Sequence, residues 1–92
     1  MYLEKLPYKR FRLKRRVRVQ VRLIQNTGFV ADIKHLGFYC EGVGKTPKLA
    51  RLKLARLIVG QFENLLEMTK TDMHPTHRRL LAKCRTFMKI VR

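Results

Sequence analysis

Acidic residues are scarce: six Asp/Glu stand against 22 Lys/Arg in 92 residues, a formal net charge of +16. That scarcity excludes most carboxylate chemistry. General acid/base pairs and carboxylate-held cations need acids at matched spacings, and none of the six is so placed. Serine is absent, which removes a serine nucleophile. Cysteine is limited to Cys40 and Cys84, with no Cys-x-x-Cys, and Cys40 beside Glu41 lacks a placed histidine. Two reduced, partly buried thiols in an intracellular protein are the expectation. Long apolar runs are also missing. No stretch approaches the ~18–20 residues of a membrane span, and the basic N-terminus lacks the apolar core of a secretory signal. No enzyme activity and no cofactor are expected.

What is present is positive charge on a patterned chain: 46% of residues are apolar. Ninety-two residues make one domain with a modest core. Charge at this density is the footprint of a protein that meets a polyanion, nucleic acid first and an anionic membrane surface second. The charge is uneven. Residues 1–24 hold nine Lys/Arg and one acid, residues 25–46 balance, and the remainder is basic again.

Residues 11–23 alternate. Phe11, Leu13, Val17, Val19, Val21 and Leu23 share one parity, broken only by Arg15. Arg10, Arg12, Lys14, Arg16, Arg18, Gln20 and Arg22 share the other. Period two predicts a strand with an apolar face and a basic face, its regular part from about Arg16 to Gln25 and its start an arm. Asn26-Thr27-Gly28 signals a turn. Phe29, Ala31 and Ile33 alternate in a second strand, His35-Leu36-Gly37 turns again, and Phe38-Tyr39-Cys40 opens a third strand ending at Gly42-Val43-Gly44. Connections this short require an antiparallel meander.

The period then changes. Thr46 suits an N-cap and Pro47 the first helical position. Leu49, Leu52, Ala55, Val59, Phe62 and Leu66 form a helical stripe that Leu54, Leu57, Ile58 and Leu65 widen, so this helix is expected to be buried over more than half its girth. Gly60 weakens it and is read as a close approach to the sheet. A linker runs from Thr69 to Pro75. A second helix is expected from about Thr76 to Val91, with Leu80, Leu81, Cys84, Phe87, Met88 and Val91 on its apolar face. The expectation is therefore an α+β fold: a three-stranded antiparallel sheet over about 16–44, packed on a helix over about 47–67, plus a C-terminal helix over about 76–91. It divides into a basic arm (1–15), a core of three strands and a helix (16–68), and a linker with a basic amphipathic helix (69–92).

The segment GVGKT first suggests a nucleotide loop. A phosphate-wrapping loop ending in Gly44-Lys45-Thr46 needs a glycine where Tyr39 stands, a following strand with an acid for magnesium, and a larger parallel sheet. None is present. His74-Pro75-Thr76-His77 with Cys84 makes a poor zinc site, because Pro75 disrupts the pair and no fourth ligand is near in sequence. A membrane partner is not expected either, since the apolar face of the last helix is equally well explained as core.

Taken whole, Gly42-x-Gly44-Lys45-Thr46-x-Lys48-Leu49-Ala50-Arg51-x-x-x-Ala55 follows a strand and opens a helix. This resembles the end of the double-stranded-RNA-binding domain, over about residues 42–66, and the preceding meander fits that family's order. The resemblance implies that the helix start lays basic residues over RNA phosphates. The positions carried over are Lys48 and Arg51; the family's first lysine is Pro47 here, with Lys45 nearby. The chain lacks the family's usual first helix and its Gly-Pro-x-His loop, so phosphate contact is implied rather than minor-groove readout. Physical chemistry agrees independently: a helix N-terminus carries partial positive charge, and Lys45, Lys48 and Arg51 recur every three residues on one face.

The leading expectation is an RNA-binding protein that recognises structured or double-stranded RNA mainly through backbone phosphates. Its candidate contacts are Lys45, Lys48, Arg51 and Lys53, the basic segment Arg10, Arg12, Lys14, Arg15, Arg16, Arg18 and Arg22, and Arg78 and Arg79. The basic strand face is either solvated or a second RNA surface. Two alternatives stand beside this: a structural subunit of a ribosome or other large ribonucleoprotein, with protein partners there, and a protein-interaction module that forms a homodimer.

Overall fold

The computed structural model describes residues 2–6, 8, 10–25, 28–35, 38–71 and 73–91. The central residues of both expected turns, Asn26-Thr27 and Leu36-Gly37, lie outside these. In chain order the elements are β1 (Tyr2–Leu3), β2 (Phe11–Leu13), β3 (Val17–Arg18), β4 (Gln20–Ile24), β5 (Gly28–His35), β6 (Phe38–Gly44), α1 (Pro47–Met68), α2 (Pro75–Arg85) and β7 (Met88–Ile90). The expected α+β architecture is present. β4, β5 and β6 form an antiparallel three-stranded sheet packed on α1, and a second helix follows. Gln20 pairs with Asp32 and Ile24 with Gly28, while Phe29 pairs with Gly44 and His35 with Phe38.

α1 begins as its sequence dictates. The Thr46 hydroxyl oxygen accepts from the Leu49 N–H at 3.1 Å, and Pro47 occupies the first turn. At the other end the Thr69 hydroxyl donates to the Leu66 carbonyl at 2.6 Å. The buried face is Ala50, Leu54, Ala55, Ile58, Val59, Phe62 and Leu65. It is narrower than the apolar stripe implies, because Leu49 (43% exposed) and Leu57 (49%) face outward. A single sheet covers only one side of a helix, and these leucines flank that side.

The two glycines of GVG face α1. A Cβ on Gly42 would lie 2.8 Å from both the Ala50 carbonyl oxygen and the Leu54 Cα; one on Gly44 would lie 2.5 Å from the Ala50 nitrogen. They bring strand and helix backbones into contact within an extended strand, and Gly28 is the described glycine with positive φ, +110°. Gly60 does not mark a close approach: a Cβ there meets nothing within 4 Å. Gly60→Ala is therefore expected to stabilise the protein by about 1 kcal/mol, read as a rise in Tm of about 4–8 °C. An unchanged or lower Tm would mean the helix is crowded at that point.

The first third of the chain departs from expectation. The described part of the expected arm is not free: Leu3 and Phe11 are buried in the main core, and the Phe11 and Phe62 rings meet edge-to-face at 5.5 Å. The strand expected from Arg16 to Gln25 is two pieces, β3 and β4, and the start of the run, expected as an arm, contributes a third, β2. β2 pairs with β7, β3 with β1, and β4 with β5. The breaks fall at Lys14–Arg16 and at Val19.

The C-terminal helix stops at Arg85 instead of continuing to Val91. Phe87 and Met88, placed on the helix by their spacing, are fully buried, Phe87 just before β7 and Met88 as its first residue. The segment Thr86 to Val91 is rich in β-branched and aromatic side chains, which favour a strand once a partner edge exists. β2 supplies that edge, with Phe11 opposite Ile90 and Leu13 opposite Met88.

Candidate nucleic-acid interface

Lys45 and Lys48 are exposed at the start of α1, and Arg51 is half-buried one turn on. Lys48 and Arg51 line one cavity of about 330 Å³ together with Leu49, Leu52 and residues 2–6. Lys48 and Arg51 share that face as their spacing requires, whereas Lys45 precedes the N-cap and lies outside the helix. Lys53 lies elsewhere: with Arg56 and Leu57 it lines a groove against Glu41–Val43 of β6. Five residues along a helix is nearly half a turn out of phase, so Lys53 does not extend the Lys48–Arg51 line.

The electrostatics of α1 run against its own backbone. Its first turn holds no acid and its last turn no base. Lys48 sits in the first turn, next to the positive end of the helix dipole, while Glu63 and Glu67 lie toward the negative end. Helices ordinarily gain about 0.3–1 kcal/mol per charge from the opposite arrangement. α2 likewise has no acid in its first turn, but it keeps Lys83 and Arg85 in its last.

Several cations singled out by sequence have structural employment. The Lys14 ammonium donates to the Arg85 carbonyl at 2.6 Å, and the Arg15 guanidinium to the Thr86 carbonyl at 3.3 Å. Both satisfy carbonyls at the C-terminus of α2, where cations are favoured. Arg10 lies over the Phe11 ring at 5.4 Å and Arg16 over the Tyr2 ring at 4.3 Å. Arg79 reaches the Pro75 carbonyl at 3.4 Å. Arg12, Arg18 and Arg78 are exposed.

The sheet face turned from α1 is not a continuous basic surface. Arg22 pairs with buried Asp32 at 3.3 Å, and Glu41 stands directly opposite Asp32 on β6. The Tyr39 hydroxyl donates to Glu41 Oε2 at 2.6 Å. That hydrogen bond and the nearby carboxylates hold the Tyr39 phenol above its usual range. The strand's alternation gives a basic face, but the face it joins carries two of the chain's few acids.

The histidine–cysteine group has no metal-site geometry. His74 caps α2, its Nδ1 accepting from the Thr76 N–H at 3.1 Å. Cys84 is fully buried, and burial pushes its thiol up to about 11; burial raises Cys40 as well. Among the described residues no three His, Cys, Asp or Glu gather where a metal could sit. No helix among them is long and apolar enough to cross a membrane.

Sequence reasoning missed residues 2–6, Tyr2 and Lys5 among them, as neighbours of the α1 start, and Tyr8 beside β2. Short pairings between distant segments leave no local periodicity to detect. The fold and site together define a small, strongly basic α+β protein whose main helix begins among cations. No protein-family model, curated protein or solved structure matches this chain.

Proposed function

We propose that this protein binds structured or double-stranded RNA through its backbone phosphates, with the start of α1 as the principal contact. The observation that carries the reading is the inverted charge of α1: Lys48 in the first turn, no acid there, and glutamates toward the far end. Such an arrangement weakens the free helix and is repaid when an anion sits at its N-terminus. Lys45, Lys48 and Arg51 supply side-chain cations beside the first-turn N–H groups. Pro47 offers none, so the side chains carry more of the contact. The net charge of +16 adds long-range attraction for a polyanion.

Each neutralised phosphate releases counterions, so affinity for duplex RNA is expected to fall steeply with salt. Three contacts imply a slope of log K against log salt of roughly −2 to −3, and further cations steepen it. Anisotropy titrations of a labelled duplex across a salt series read this directly. A flat salt profile, or absence of binding at low salt, would sink the proposal. Single-stranded RNA and duplex DNA in competition report how far the grip depends on A-form geometry.

A further inference from the structure

We infer that the N-terminal segment holds unpaired nucleotides of the bound RNA, with bases stacked on Tyr2 and Tyr8 and phosphates on Lys5, Arg12 and Lys48. This rests on the RNA reading and adds a second, chemically different subsite to it.

Two cavities flank residues 4–6. One, of about 330 Å³, lies between this segment and α1; the other, of about 580 Å³, lies between it and β2. Both fall in the range of about 300–1,000 Å³ typical of small-ligand sites. Their floors are apolar: Leu49, Leu52 and Ala55 on one side, Phe11 and Leu13 on the other. Their rims are basic, with Lys5, Lys48 and Arg12 exposed against one acid, Glu4. An apolar floor within a cationic rim complements a nucleotide, whose base has apolar faces and whose phosphate is anionic.

The aromatics are placed accordingly. Phe11, Phe62 and Phe87 are buried, whereas Tyr2 (46%) and Tyr8 (43%) are about half exposed, each lining one of the cavities. The Arg16 guanidinium lies over one face of the Tyr2 ring, 4.3 Å from its centroid. Bases stack on tyrosine rings and on guanidinium planes irrespective of sequence. Tyr39 is an internal contrast. It is exposed too, but its hydroxyl is bound to Glu41 beside Asp32, a setting that repels phosphate.

The test uses two labelled RNAs, a blunt duplex of about 16 base pairs and the same duplex with a run of unpaired uridines. Anisotropy is measured for the wild type, Tyr2→Leu/Tyr8→Leu, Tyr2→Phe/Tyr8→Phe and Tyr39→Leu. The wild type is expected to prefer the tailed RNA. The double leucine variant should lose about tenfold or more on the tailed RNA and less than about twofold on the blunt one. The phenylalanine variant keeps its rings and should keep the preference, and Tyr39→Leu should match the wild type. No tail preference in the wild type, equal losses of the leucine variant on both RNAs, or a preference that survives the leucine changes would each overturn the nucleotide subsite. The blunt duplex reports the phosphate reading separately, and a wild type that binds neither RNA overturns both.

Discussion

Gly42→Ala is expected to lower the stability of this protein by about 3 kcal/mol, the upper end of what overpacking costs. A domain of this length has roughly 5–14 kcal/mol in total, so much of the margin goes with one methyl group. The new Cβ would collide with the Ala50 carbonyl and the Leu54 backbone of α1. Backbone cannot swing aside as a side chain does, so β6 and α1 must separate. These two elements form one of the most extensive contacts in the fold, and Ala50, Leu54 and Ile58 are wholly buried beneath the sheet. Urea titration should show a midpoint well below that of the wild type, and Tm should fall by roughly 12–24 °C. The same substitution at Gly60 carries the opposite sign, since a Cβ there enters open space. A Gly42→Ala protein that melts within a few degrees of the wild type would refute the close strand–helix contact.

Reversing the charge of Lys48 and Arg51 together is expected to cost about a hundredfold in RNA affinity at ~0.15 M salt. Each charged contact contributes about 1.5 kcal/mol or more, and two such losses give the factor of a hundred. The salt slope should become shallower by about two, one for each lost phosphate contact. The free protein should respond in the other direction. Lys48→Glu alone puts an acid in the first turn of α1, and should raise stability by about 0.5–1 kcal/mol at low ionic strength. A general unfolding effect cannot reproduce this pair of opposite signs. Unchanged RNA affinity in the double variant would remove the helix start from the interface.

The core architecture was legible in the sequence because its signals are local. Thr46-Pro47 marks a helix start within two residues, the alternation of Phe29 to Ile33 marks a strand, and turn-length connections dictate an antiparallel meander. What escaped depends on partners distant in sequence. The run from Phe11 to Leu23 keeps one parity except at Arg15, which falls in the first break, yet nothing in it marks the second break at Val19. Residues 86–91 satisfy helical spacing as well as strand composition, and only the waiting edge of β2 decides between them. The surroundings of the candidate cations were hidden for the same reason. Lys14 and Arg15 read as free cations until the end of α2, 71 residues on, is set against them. Arg22 reads as part of a basic face until Asp32 comes alongside. Positive charge is visible in a sequence; the carbonyls and carboxylates that a neighbouring strand or helix end sets against it are visible only after folding.

The pairing of Phe11–Leu13 with Met88–Ile90 also sets an order of events during synthesis. The sheet and α1 use residues between 20 and 68, all of which leave the ribosome before the strand that β2 pairs with. Phe11 can form its α1 contact at that stage, but β2 has no partner strand until residue 90 leaves the ribosome. Until then the basic first segment hangs from a half-formed nascent protein, with its Lys14 and Arg15 side chains not yet engaged by α2. Completion of α2 and the last strand therefore fixes where the Lys14 and Arg15 side chains point while leaving both exposed.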